Sequence, residues 1–205
     1  MAQGDKRAEI EAPAAGGVGL LIIDMINDMA FPGAEGLREK APSVAEVVRS
    51  LRDEAERLGV PVVYVNDNYG QWHSEKSRIV KACLGANETG QEIATHIAPR
   101  DDDYFIIKPQ FSGFYATNLP VLLPRLGVNR LVLTGMAADV CVLFTAADAH
   151  MREYQIWTPR DAVASEKDER ANWALEIMQK SMGAEIRPTG ELALRDWVHS
   201  CEYYA

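Results

Sequence analysis

Short apolar runs alternate with amphipathic segments along the chain. Six of the runs have the length and the polar or turn-forming boundaries that are typical of β-strands. The first run is apolar at every position, which is typical of a strand covered on both faces of a sheet. The predicted strands are Val18–Ile23, Pro61–Val65, Tyr104–Ile107, Leu131–Leu133, Gln155–Thr158 and Ala184–Arg187.

Helical periodicity fills the segments between the strands. Over residues 42–58, apolar side chains recur at three- and four-residue steps opposite a charged face, and Gly59 marks the end of the predicted helix. The same pattern predicts a helix over Asp168–Met182. Residues 69–103 are predicted to be irregular, apart from one short helix near Ser77–Cys83. Further helices are predicted within residues 115–126, from Ala137 to Met151 and over Glu191–His199.

This alternation predicts a Rossmann-like α/β fold, a three-layer, open and mostly parallel six-stranded sheet with helices on both faces. Residues 1–17, rich in alanine, glycine and charge, are predicted to form a flexible N-terminal leader. Residues 18–205 are predicted to form a single domain, and a chain of this length buries a core without disulfides or a structural metal.

Composition narrows the classes of function. The formal net charge of −9, with no basic patch, argues against a nucleic-acid partner. No apolar run approaches the roughly 18 residues of a membrane-spanning helix, and no secretory signal is visible, so no membrane partner is expected. The widely spaced Cys83, Cys141 and Cys201 form neither a disulfide framework nor a zinc pattern, which favours the reducing cytoplasm. A dinucleotide-binding fold would carry a glycine-rich loop after the first strand, but this chain has Asp24-Met25-Ile26 there. No cofactor is therefore predicted.

Chemically useful side chains follow three of the predicted strands. The first strand ends at Asp24, the third at Lys108, and the fourth leads into Cys141 near the start of a helix. Singly, each has a plainer interpretation, as a turn-capping aspartate, a solvated lysine and a buried core cysteine. Jointly, they fall on the edge where an open parallel sheet binds ligands. A carboxylate, an ammonium and a thiol at one edge favour nucleophilic catalysis, because a cation or a helix N-terminus stabilises a thiolate and a carboxylate accepts its proton.

The motifs around these residues resemble the isochorismatase-like cysteine hydrolase superfamily, which includes nicotinamidases and N-carbamoylsarcosine amidase. The resemblance extends from Val18 to about Arg187, and implies the fold predicted above. The motifs that carry it are Leu21-Ile22-Ile23-Asp24-Met25, Ile107-Lys108-Pro109-Gln110-Phe111-Ser112-Gly113-Phe114, and Leu133-Thr134-Gly135 continued through Cys141-Val142.

The resemblance also implies roles for single residues. Cys141 would be the nucleophile, Asp24 the proton acceptor, and Lys108 the cation that stabilises the thiolate. A cis peptide bond between Met136 and Ala137 would turn the amides of Ala137 and Cys141 toward an oxyanion. Isochorismatases that cleave a vinyl ether lack the cysteine, so Cys141 speaks against that reaction.

The chain departs from the superfamily pattern at two places. Ile26 stands where a glutamine is frequent, two residues after Asp24. Nicotinamidases carry an Asp-x-His metal motif after the second strand, whereas here Tyr69 follows Asp67 at the histidine position. Asp67 and the nearby His73 are too few ligands for a transition metal, so no metal site is predicted. Whether Asp67 and His73 contact a substrate or are structural stays open.

The predicted function is a metal-independent cysteine hydrolase that cleaves a C–N bond of a small amide, imide or ureido compound through a thioester-type intermediate. Phe31, Trp72 and Tyr115 lie in loops beside the motifs and are candidates for the walls of a substrate pocket or for subunit contacts. Relatives imply a homo-oligomer, a dimer or tetramer. Two alternatives remain, an ester or thioester hydrolase of the same fold and a non-catalytic thiol-based sensor or binding protein.

Overall fold

A central parallel sheet organises the structure, a computed structural model that describes residues 14–27, 29–31, 33–68, 75–85 and 88–200. Its strands run in the order β3-β2-β1-β4-β5, and β6 pairs with the end of β4. Every pairing is parallel, so the α/β prediction is confirmed. The strands are β1 (Val18–Ile23), β2 (Val62–Asp67), β3 (Tyr104–Lys108), β4 (Arg130–Met136), β5 (Gln155–Trp157) and β6 (Val163–Ala164).

Helices cover both faces of this sheet. A 3₁₀ turn over Ala15–Gly17 precedes β1, and a π-helical turn over Ala138–Val142 joins β4 to the fifth helix. The helices are α1 (Glu35–Leu58), α2 (Lys76–Leu84), α3 (Glu88–Ile97), α4 (Leu119–Arg125), α5 (Leu143–His150), α6 (Asp168–Met182) and α7 (Leu194–His199). Among the described residues, none of these helices is long and apolar enough to cross a membrane.

The core has two layers that share the strands. Leu20 and Ile22 of β1 pack with α1, α3 and α7, whereas Leu21 and Ile23 pack with α4, α5 and α6. Successive side chains of a strand point to opposite faces, so a strand between two helical layers must be apolar at every position. This arrangement explains the uninterrupted apolar run of β1, all of which is buried.

Strand order reverses between β1 and β4, and this reversal positions the candidate site. The chain passes from β1 through β2 to β3 on one side, then returns to place β4 on the other side of β1. Crevices at such switch points, beyond the carboxyl ends of the strands, are where open α/β sheets bind ligands. The residue after β1, Asp24, and the turn after β4 therefore face the same crevice.

Two helices of the structure, α1 and α3, differ from the prediction. α1 begins at Glu35, and Pro42 lies inside it rather than at its start. Leu37 is buried and the Nε–H of Arg38 donates to the carbonyl of Met29 at 2.7 Å, so tertiary contacts support the turns before the proline. α3 falls in a segment predicted to be irregular. Its buried side chains, Ile93 and Ile97 among them, pack on the sheet and stabilise a helix that its short pattern did not indicate.

The sixth strand was wrongly predicted. Residues 184–187 form no strand but a single bridge, in which the backbone of Glu185 bonds with those of Ile156 and Thr158. The Glu185 side chain then accepts the N–H groups of Ile186 and Arg187, so the backbone turns away after one pair. The sixth strand is instead β6, two residues that pair with Gly135 and Met136.

The predicted leader lies mostly outside the described residues. The structure describes its last four residues, 14–17, and these are packed. The N–H of Ala14 donates to the carbonyl of Leu126, and the carbonyl of Gly17 accepts the N–H of Asn129, both at 2.9 Å. The packed part of the chain thus starts before Val18.

Gly135 is expected to be required for the close approach of β4 to β1. Its φ is 110°, and a Cβ there would lie 2.0 Å from the carbonyl oxygen of Ile23. Gly135→Ala should lower the free energy of unfolding by more than about 3 kcal/mol. Gly59→Ala is the matched control, because Gly59 also has a positive φ but no atom within 4 Å of a Cβ. That control should cost about 1–2 kcal/mol. Urea unfolding followed by circular dichroism measures both, and equal losses would contradict the expectation.

Candidate active site

Asp24 lies directly after β1, with a left-handed backbone (φ 51°) and a nearly buried side chain. Its N–H continues the sheet by donating to the carbonyl of Val65 at 2.9 Å. Oδ1 accepts the backbone N–H of Asp67 at 2.7 Å, and Oδ2 lies 2.8 Å from Nζ of Lys108. Both carboxylate oxygens are therefore held by groups on neighbouring strands.

Lys108 ends β3 and is fully buried. In the β2–β3 register, it lies directly opposite Asp67. Its Nζ is 2.8 Å from Asp24 Oδ2, 3.4 Å from Asp67 Oδ2 and 3.4 Å from Sγ of Cys141. Burial of an ammonium is costly unless opposite charges and hydrogen bonds compensate for it, and two carboxylates do so here.

Cys141 lies in the π-helical turn between β4 and α5 and is half-buried. Its carbonyl accepts the hydroxyl of Thr145 at 2.6 Å, and this hydroxyl accepts the N–H of Gly113 at 3.0 Å. Thr145 thus ties the loop after β3 to the turn that carries the thiol. The peptide bond between Met136 and Ala137, just before the turn, is cis.

The three residues predicted at the strand ends therefore converge. Their protonation equilibria are linked by contact. Burial raises the pKa of Asp24, although Lys108 and the hydrogen bonds from Cys141, Lys108 and Asp67 act against the rise. Burial also disfavours the charged form of Lys108, but the negative groups around it keep its pKa above the ordinary value.

The surroundings of the thiol favour its protonated form. Burial, followed by the adjacent Asp24 carboxylate, raises the pKa of Cys141 to about 12, against the lowering effect of Lys108. From the sequence alone, the cation of Lys108 and the nearby start of a helix predict a lowered pKa for Cys141. They are outweighed because burial and a neighbouring carboxylate both disfavour a thiolate. A reaction of the sulfur as a thiolate would therefore require transfer of its proton, and the Asp24 carboxylate is in contact with it.

Asn66 provides hydrogen bonds to the backbone of Ile26, the position at which the chain departs from the superfamily pattern. Its Nδ2 donates to the carbonyl of Ile26 at 2.8 Å, and its Oδ1 accepts the N–H of Ile26 at 3.4 Å. The fully buried amide of Asn66 in β2 thus pairs with the backbone of the chain that leaves Asp24. Asn66 was not predicted as a site residue, and only the β1–β2 pairing reveals its role.

Asp139 anchors the π-helical turn to the loop before α6. Its carboxylate accepts the hydroxyl of Ser165 and pairs with Arg170, while its N–H donates to Ser165 Oγ at 3.2 Å. Lys40 of α1 in turn donates to the carbonyl of Ser165 at 3.0 Å. Asp139 precedes Cys141 by two residues, so these contacts, together with that of Thr145, hold the turn that carries the thiol.

The candidate substrate residues are only partly placed. Phe31 and Tyr115 are exposed, and Trp72, like His73, lies outside the described residues. Tyr115 lines a surface depression of about 340 Å³, and Phe111 and Phe144 in its wall have rings 5.6 Å apart. Neither Phe111 nor Phe144 was predicted as a pocket residue. Phe31 is not among the lining residues of this depression.

The described residues do not fit a metal ion. Asp67, which occupies the aspartate position of the nicotinamidase metal motif, has its carboxylate beside the ammonium of Lys108. Within the described ranges, no group of three His, Cys, Asp or Glu side chains is arranged to hold a metal. The carboxylate of Asp67 is thus already paired with a cation of the protein.

Taken together, the fold and the site define an open α/β protein with a thiol, an ammonium and two carboxylates clustered at its switch point. The family model described as the isochorismatase domain matches residues 18–190. The chain belongs to the isochorismatase family, and it is a hydrolase of that family with amidases among its relatives.

Three relatives illustrate the range of the family. YaaI, an uncharacterised isochorismatase family protein of Bacillus subtilis (strain 168), is 44% identical over 82% of this chain and 91% of its own length. The ureidoacrylate amidohydrolase RutB of Serratia proteamaculans (strain 568) is 26% identical, over 72% of this chain and 70% of its own length. The crystal structure of N-carbamoylsarcosine amidase from Thermoplasma acidophilum superposes with a TM-score of 0.64 at 30% identity, covering 86% of this chain and 98% of that one.

Removal of the Asp24 charge is expected to speed the alkylation of Cys141 and to slow turnover. Asp24→Asn keeps the size and shape of the side chain but removes the nearer of the two charges that compensate for the buried Lys108, so it should cost about 3–5 kcal/mol of stability. Because the Asp24 carboxylate raises the pKa of Cys141, its loss should lower that pKa and speed alkylation by iodoacetamide at pH 7.5. Turnover should fall by about 10²–10⁴-fold, since the proton acceptor is gone.

Lys108→Met is expected to have the opposite effect on the pKa of Cys141, because Lys108 lowers that pKa. Its loss should raise that pKa further and slow alkylation, at a cost in stability of about 3–5 kcal/mol. Labelling of Cys141 is quantified by mass spectrometry, and circular dichroism checks the folding of both variants. Slower labelling of Asp24→Asn than of the wild type would contradict the electrostatic account.

Asp139 is expected to stabilise the π-helical turn. Asp139→Ala removes the acceptor of Ser165 and the partner of Arg170, and should cost about 2–3 kcal/mol in urea unfolding. Asp148→Ala is the control, because Asp148 pairs with Arg152 just beyond the end of α5, where both side chains are partly exposed, and should cost less than about 1 kcal/mol. Amide hydrogen exchange over residues 138–142 should rise in the first variant alone. Unchanged exchange there would mean that Asp139 does not hold the turn.

Proposed function

We propose that the protein is a metal-independent cysteine amidohydrolase that cleaves the C–N bond of a small amide, imide or ureido compound. The observation that carries the proposal is the contact of Lys108 Nζ with both Asp24 and Cys141, at 2.8 and 3.4 Å. These contacts support the proposal, because they bring a carboxylate, an ammonium and a thiol within reach of one another. The amidase relatives support the choice of a C–N bond over a C–O bond.

Acylation begins with attack of Cys141 Sγ on the substrate carbonyl carbon. As the S–C bond forms, the thiol proton passes to the Asp24 carboxylate, and the carbonyl oxygen becomes an oxyanion. We assign the stabilisation of this oxyanion to backbone N–H groups of Ala137 and Cys141. The oxyanion then collapses, the C–N bond breaks, and Asp24 returns the proton to the leaving nitrogen. Ammonia or an amine departs, and a thioester on Cys141 remains.

Deacylation uses the same groups in reverse. A water molecule gives a proton to Asp24 and attacks the thioester carbonyl. The C–S bond then breaks, the sulfur recovers the proton from Asp24, and the carboxylic product leaves. Throughout both halves, Lys108 stays protonated and compensates for negative charge on Asp24 or on sulfur, which is consistent with its raised pKa. No step requires a metal.

Ammonia release from a panel of small amides and ureido compounds tests this proposal. Cys141→Ala should abolish release, and prior dialysis of the wild-type protein against a chelator should leave the rate unchanged. Stopping the reaction in acid should trap a covalent adduct on the Cys141 peptide, with the mass of the acyl group. Release that persists in Cys141→Ala, or that disappears with chelator and returns with metal, would overturn the proposal.

A further inference from the structure

A second carboxylate lies beside the nucleophile, and the catalytic steps do not use it. Asp67 Oδ2 is 3.4 Å from Lys108 Nζ. Of the three charged side chains in the cluster, Asp67 has the most exposed surface, 31%, compared with 10% for Asp24 and none for Lys108. Asp67 is therefore the charged side chain of the cluster that is most accessible from solvent.

With Asp67 ionised, the cluster carries no net positive charge, whichever of Asp24 and Cys141 holds a proton. Lys108 contributes one positive charge, and Asp67 balances it with one negative charge. Asp24 and Cys141 share the transferable proton. They add one negative charge when one of them is ionised, and none when both are protonated. An anionic group on a substrate consequently finds no excess cation at the bottom of the crevice.

The segments that follow β1, β2, β3 and β4 are poor in cationic residues. The sequence of these segments, between β1 and α1, β2 and α2, β3 and α4, and β4 and α5, contains neither lysine nor arginine. Cations on the helices nearby have partners of their own. Arg38 donates to the carbonyl of Met29, Arg170 pairs with Asp139, and Lys40 pairs with Asp168.

We propose that the enzyme selects small amides that are uncharged or positively charged, and that Asp67 is the residue that disfavours substrates with a carboxylate. The proposal rests on the amidohydrolase function proposed above and specifies its substrate class. Two like charges within about 6 Å repel enough, even at a partly solvated site, to lower a rate roughly tenfold. The same carboxylate accepts an N–H or ammonium hydrogen from a substrate that fits.

Labelling of Cys141 tests the charge selectivity without any turnover. Iodoacetamide and iodoacetate have nearly the same size, and the second is an anion. The rate at which each reagent alkylates Cys141 is measured by mass spectrometry. It is then divided by the rate at which the same reagent alkylates a free small thiol, which corrects for the intrinsic reactivity of the reagent. The wild-type protein should disfavour iodoacetate by roughly tenfold after this correction. Both reagents report the same thiol, so changes in its pKa cancel in the ratio.

Asp67→Asn should remove most of this preference. Asp102→Asn is the matched control, because it removes the same charge from an exposed loop before β3, at the opposite end of that strand, and should keep the preference. Equal corrected rates in the wild-type protein would overturn the inferred selectivity. An unchanged preference in Asp67→Asn would overturn the role of Asp67.

A matched set of amides extends the test to turnover. Butyramide, β-alaninamide and succinamate each have two methylene groups next to the amide carbonyl. Their end groups are, respectively, a methyl, an ammonium and a carboxylate group. The kcat/KM of succinamate should be at least about tenfold below those of the other two, and Asp67→Asn should narrow the gap. Absence of turnover for all amides, with the labelling preference intact, would count against the amidohydrolase function but not against the charge selectivity. Faster turnover of succinamate than of butyramide would overturn the selectivity.

Discussion

The buried ammonium of Lys108 determines the geometry of the crevice. A lysine without exposed surface is tolerated in a folded protein only where opposite charges replace the hydration it has lost. Asp24 and Asp67 provide these charges from the ends of β1 and β2, and Sγ of Cys141 completes the contacts from the turn after β4. Four separate parts of the chain therefore have to meet at one nitrogen atom.

That requirement constrains the sheet. Asp67 faces Lys108 only in the observed β2–β3 register, and a shift of one residue would turn Lys108 toward the opposite face. Asp24 keeps its place because its N–H extends the β1–β2 pairing, and Asn66 holds the backbone that follows. The register of buried apolar strands is strongly specified, so the precision of the site derives from the packing of the core.

The same burial sets the chemical problem that the site has to solve. A low-dielectric crevice disfavours the thiolate, and the Asp24 carboxylate disfavours it further, so the thiol of Cys141 holds its proton at rest. In the proposed mechanism, the thiol proton moves to Asp24, and Lys108 then faces a thiolate in place of a carboxylate. The negative charge would thereby stay within reach of one ammonium, and no net charge would be created. The role proposed for Asp67 lies outside this exchange, in the electrostatic field around the site.

The sequence by itself determined the parts of the protein that depend on local pattern. β1, the end of the long helix at Gly59 and the helix over Asp168–Met182 follow from apolar periodicity and helix-stop signals, and the structure has each of them. The strand ends could be located in the same way, which is why Asp24, Lys108 and Cys141 were expected on one edge of the sheet. Resemblance to a known superfamily added candidate roles for these residues and the cis bond before Ala137.

Only the tertiary structure decided the features that depend on distant partners. The two-residue strand β6 is too short to have a pattern, and it exists because β4 offers an edge for pairing. The early start of α1 depends on contacts with the loop after β1, across a proline that locally favours a break. Asp67, Asn66 and Asp139 look like turn or surface residues until their partners, far away in sequence, are known. The direction in which the pKa of Cys141 is shifted also depends on distant partners. Burial and the carboxylate of Asp24 outweigh the cation and the helix start that the sequence shows.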